Sequence, residues 1–96
     1  MIKHVVLVKF KPGVTEADVA ELRKKLAALP GIIPEIKGWD VGQDVRPEKT
    51  LDFGLVATFT DMAALQRYRV QPDHVAAGKY IRSLSESLQV IDFEYE

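Results

Sequence analysis

The run Ile2-Lys3-His4-Val5-Val6-Leu7-Val8-Lys9-Phe10-Lys11 decides the fold, because β-branched and large apolar side chains occupy both of its faces. His4, Val6, Val8 and Phe10 fall on one side, and Lys3, Val5, Leu7 and Lys9 on the other. A strand that is apolar at the middle of both faces is a central strand covered twice. Pro12-Gly13 ends it. Thr15 can then cap a helix with Asp18 at its third position, and Val14 and Val19 take the places of a hydrophobic staple.

Working outward, Val19, Leu22, Leu26 and Leu29 follow helical spacing, with Glu21, Arg23, Lys24 and Lys25 turned to water and Pro30-Gly31 expected to stop the helix. The 36–44 stretch reads as a second strand, the polar segment 43–50 as a loop, and 52–59 as a third strand with Phe53, Leu55, Ala57 and Phe59 on one side. Thr60-Asp61 caps a helix in which Met62, Leu65 and Tyr68 share a face. Pro72 suits the first position of a further helix to about residue 83, with Val75, Tyr80, Ile81 and Leu84 as buried positions. A last strand over 88–95 alternates Ile91, Phe93 and Tyr95 against Val90, Asp92 and Glu94.

The order is βαββαβ with its second helical segment broken. It predicts an α+β fold of one domain over residues 1–96: a four-stranded antiparallel sheet with the helices on one face. The other face is left uncovered and still apolar, since Val5 and Leu7 oppose Val6 and Val8. Such a face marks an interface, and pairing two copies about a two-fold axis is the simplest cover.

Composition narrows the function. Hydrophobic residues make up 47% and charged residues 28%, a globular balance. A net charge of −1, from 13 basic and 14 acidic residues, provides no field to gather nucleic acid or an anionic membrane. There is no cysteine, hence no disulfide or thiolate metal site. No apolar run approaches a bilayer's thickness, and the start lacks secretory-signal character, so a soluble cytoplasmic protein is expected.

The separated segments 1–11, the Phe59 strand end, Tyr68 followed by Pro72-Asp73-His74-Val75, and Val90-Ile91-Asp92-Phe93 together resemble the stress-responsive α/β-barrel domain, or Dabb, family over the whole chain. The resemblance implies a ferredoxin-like protomer and a homodimer whose two sheets close into a dimeric α+β barrel. Family roles are mixed: many members are stress-associated or uncharacterised, and some plant members are polyketide cyclases. The cyclase-type resemblance falls on Tyr68 and His74, with His4 as a further polar group in a cleft between sheet and helices. Phe53 stands where a cyclase-like member can carry histidine, which implies a more apolar wall.

The chemistry of those residues supports two readings. His74 lies in the first turn of a helix, where the dipole disfavours imidazolium, so a neutral general base is available. Tyr68 could donate its hydroxyl to a substrate carbonyl as an enolate forms. That pair, with His4 orienting, would suffice for cofactor-independent cyclisation or isomerisation of a small hydrophobic carbonyl compound. In the competing reading the three residues only pack the core and tie the helix break together.

Two histidines without HxxxH spacing are a weak metal signal, and no cofactor is expected. Haem is handled by some enzymes sharing the dimeric barrel, which is analogy alone. Free carbonyls in the 29–35 segment could receive a hard cation. Trp39, Phe53, Phe59 and Phe93 are candidates for a cavity wall, against the ordinary expectation of core or interface.

Overall fold

A computed structural model describes residues 1–96. The elements run β1 (Ile2–Phe10), α1 (Glu16–Ile32), β2 (Gly38–Gln43), β3 (Phe53–Phe59), α2 (Met62–Val70), α3 (Pro72–Leu84) and β4 (Ser85–Glu94). The strands form one antiparallel sheet in the order β2-β3-β1-β4, so β1 is central, as its two apolar faces require. Gly13, with φ of 91°, takes the left-handed turn out of β1 that a side chain would strain.

Register assigns the faces. His4 stands between Ala57 of β3 and Asp92 of β4, and Val6 between Leu55 and Val90. Ile2, Val6, Val8, Phe53, Leu55, Ala57 and Phe59 point under the helices into the core, where they meet Leu22, Leu26, Leu29, Leu65, Tyr68 and Ile81. The opposite face carries Val5 between Val56 and Ile91, and Lys3 between Thr58 and Phe93. No helix covers it: Ile91 is 57% exposed, Phe93 45% and Leu7 37%.

Thr15 caps α1 through a reciprocal capping box with Asp18, as expected. The helix does not stop at Pro30-Gly31 but continues to Ile32. Proline removes one backbone donor, yet Ile33 N–H still closes the last turn on the Leu29 carbonyl at 2.9 Å, and Leu29 and Ile33 are buried on either side of Pro30. Packing of those two residues outweighs one lost hydrogen bond. Two expected core positions are also exposed: Met62 opens α2, and Val75 lies off the inward stripe of Ala77, Ile81 and Leu84.

Candidate functional site

Gln71 divides the second helical segment. Its backbone N–H bonds the Tyr68 carbonyl and closes α2, while its side-chain Oε1 accepts the His74 N–H at 3.0 Å and opens α3. Pro72 at the first position of α3 sacrifices no hydrogen bond there. This turn brings a residue from the last turn of α2 against one from the first turn of α3. The Tyr68 and His74 rings lie 4.0 Å apart between centroids.

Tyr68 is 2% exposed and packed on several sides, by Phe59 at 4.7 Å, His4 at 5.8 Å and Trp39 at 6.2 Å between centroids. Its hydroxyl enters none of the protein's side-chain hydrogen bonds. Burial raises the phenol pKa well above its ordinary value, and the Asp92 carboxylate adds to the rise. The group is therefore a proton holder and hydrogen-bond donor.

His74 is shifted the other way. Burial lowers its pKa, opposed by a hydrogen bond to the Arg69 carbonyl and reinforced by His4, Arg82 and Arg69. His74 Nδ1 lies 3.2 Å from that carbonyl, which can only accept, so Nδ1 carries the proton and Nε2 keeps its lone pair. A neutral imidazole with an available Nε2 beside a protonated phenol has the charge states that proton abstraction next to a carbonyl needs.

His4 reaches the same place from β1. Its Nδ1 donates to Asp92 Oδ1 at 2.5 Å, a carboxylate–imidazole pair spanning the β1–β4 ladder. The three residues singled out by sequence line one cavity of about 210 Å3, with largely apolar walls that include Val6, Leu26, Leu55, Ile81 and Leu88. Arg69, Arg82 and Asp92 complete its polar lining.

Sequence reasoning missed those last three. Alternation of Leu88, Val90 and Asp92 puts an acid on an otherwise inward apolar stripe, which was the available signal. The arginines gave none, because exposed helix positions commonly carry charge. Phe53 does not reach the cavity: it is core, 6.0 Å from Phe10, and Leu55 supplies the apolar wall instead. Trp39, Phe59 and Phe93 are outside the lining too.

At the 29–35 segment, the Leu29 and Ile33 carbonyls accept from Ile33 and Ile36 N–H, and Glu35 pairs with Arg67 at 3.0 Å. No group of three His, Cys, Asp or Glu side chains could hold a metal ion. No helix is long and apolar enough to cross a membrane.

A family profile described as Stress responsive A/B Barrel Domain matches residues 2–95. The chain is 34% identical over 96 residues to olivetolic acid cyclase of Cannabis sativa, covering 96% of this chain and 94% of that protein. It is 32% identical over 97 residues to the stress-response A/B barrel domain-containing protein HS1 of Arabidopsis thaliana, covering 97% and 88%. A crystal structure of a dimeric protein of unknown function and ferredoxin-like fold from Bacteroides fragilis superimposes with a TM-score of 0.87 at 30% identity, covering 98% of this chain and 95% of that one.

Proposed function

This chain belongs to the stress responsive A/B barrel domain (Dabb) family, and we propose that it works as a homodimer whose cavity takes a small hydrophobic carbonyl compound and moves a proton on it without a cofactor. One observation carries the reading: Tyr68 and His74 lie 4.0 Å apart on a common cavity, with pKa values pushed in opposite directions. Burial favours the neutral form of each group, which gives a base and an acid at neutral pH.

The ligand's carbonyl oxygen accepts from the Tyr68 hydroxyl, and His74 Nε2 takes a proton from the adjacent carbon. Negative charge developing on the carbonyl oxygen is met by a donor already in position. His4, held by Asp92, borders the ring of Tyr68 and helps fix it. The resulting enolate can close on a second carbonyl or be reprotonated elsewhere, which gives a cyclase or an isomerase. The likeness to olivetolic acid cyclase supports the first outcome.

Proton abstraction is tested without knowing the natural ligand. Acetophenone in D2O, followed by proton NMR, exchanges its methyl hydrogens as they are removed and returned. The protein should accelerate that exchange, His74→Ala should cut the acceleration by about 10²- to 10⁴-fold, and Tyr68→Phe should reduce it at unchanged fold. Acceleration that survives His74→Ala refutes the base. Saturable binding with no exchange in the unaltered protein identifies a binding module instead.

A further inference from the structure

The protein makes four ion pairs, His4–Asp92, Lys9–Glu86, Arg46–Asp44 and Arg67–Glu35, and none includes Arg69 or Arg82. Both nevertheless line the cavity. Arg69 leaves the last turn of α2 and Arg82 the last turn of α3, so two arginines from different helices border one small apolar hollow, and the positive charge of each acts on His74. Arg82 folds back along α3: its Nη1 lies 3.5 Å from where a side chain at Gly78 would begin. Gly78 weakens the helix interior, and the space left is where this guanidinium rests. The one carboxylate in the lining, Asp92, is taken by His4.

Unpaired guanidinium groups at the edge of an apolar hollow are available to a ligand, and their planar arrays of N–H donors match carboxylate oxygens two at a time. We propose that Arg69 and Arg82 are the recognition element for an anionic oxygen group, and that the ligand is a small carbonyl compound also bearing a carboxylate. Its apolar body lies against Leu55, Ile81 and Leu88, its carbonyl faces Tyr68, and its carboxylate stays at the mouth between the two exposed arginines. This rests on the cavity being a carbonyl site and adds the charge of what enters it.

A matched pair of probes isolates the charge. Benzoylformate carries a ketone beside a carboxylate, and benzoylformamide is its neutral counterpart of nearly the same shape. Binding followed by nitrogen–proton NMR, including the arginine Nε signals, should give a preference of about tenfold for the carboxylate at low salt, shrinking as salt rises. In R69Q/R82Q that preference should vanish, since glutamine keeps hydrogen-bond donors for either probe but loses the charge that tells carboxylate from amide. Equal affinity of the unaltered protein for both probes overturns the proposal but leaves the carbonyl site standing. A preference that persists in the double variant overturns the assignment to these arginines. Failure of both probes to bind refutes the carbonyl site and this proposal with it. Both arginines are exposed, so an unchanged melting temperature shows that the variant's fold is intact.

Discussion

Replacing Phe93 by aspartate should convert a dimer into a folded monomer. Phe93, Ile91 and Leu7 stand on the helix-free face of the sheet, 45%, 57% and 37% exposed. Complete burial of such a side chain is worth about 1.5–3 kcal/mol, so covering the half still exposed contributes about 1 kcal/mol each. Three residues on each of two protomers then supply about 6 kcal/mol toward association before its entropic cost. Phe93→Asp removes two such contributions, about 2 kcal/mol, and puts two carboxylates into an apolar contact at a desolvation cost of several kcal/mol. The sum is at least about 5 kcal/mol, or more than three orders of magnitude in dissociation constant. The protomer should be spared, because Phe93 lies outside the core cluster and the strand-propensity penalty is within about 1 kcal/mol. Sedimentation velocity at about 0.1 μM, where a nanomolar dimer stays largely intact and one weakened by more than three orders of magnitude comes apart, should show a dimer for the unaltered chain and a monomer for the variant. Circular dichroism should match in both. A monomeric unaltered chain, or a variant that sediments with it, refutes the reasoning.

His74 should titrate below the ordinary histidine range, since burial depresses it, and its nitrogen shifts should report the Nδ1–H tautomer; titration at or above about 6.5 would contradict the assigned environment. A folded pKa below the unfolded one means that stability from this group is complete above about pH 6.5 and is lost as pH falls through the folded value, so H74Q should flatten that part of a melting temperature profile. Tyr68→Phe should alter stability by less than about 1 kcal/mol, because the hydroxyl bonds nothing in the protein, whereas Tyr68→Ala should cost about 3–5 kcal/mol in urea unfolding. Comparable losses for both would mean that the hydroxyl is a structural group. Thr15→Ala should lose about 1 kcal/mol with the capping box, and no change would show that α1 is held by packing alone.

The order of elements was legible because its punctuation is local. Pro12-Gly13, Thr15 with Asp18, and Gln71-Pro72 each act through their own backbone, and each falls at an observed boundary. Pro30 misled because its local effect was overruled by Leu29 and Ile33, whose burial depends on distant parts of the chain. Val75 misled because the inward stripe of α3 is set by where the helix docks. The candidate site was legible as far as Tyr68, His74 and His4, which share one cavity. Asp92 needed the pairing of β4 with β1, a register that no single strand encodes, and Arg69 and Arg82 needed the cavity itself.

The Arg69 position does two separable jobs, and the separation bears on how such a protein can change through descent. Its carbonyl orients the imidazole of His74, and every amino acid has that carbonyl; its positive charge acts on the same ring beside the cavity, and that belongs to the side chain. Mutation can therefore change the charge beside the cavity while the hydrogen bond that orients the imidazole passes unaltered from ancestor to descendant. A lineage built on this helix break can drift in the charge of its cavity without having to reset the tautomer of its imidazole.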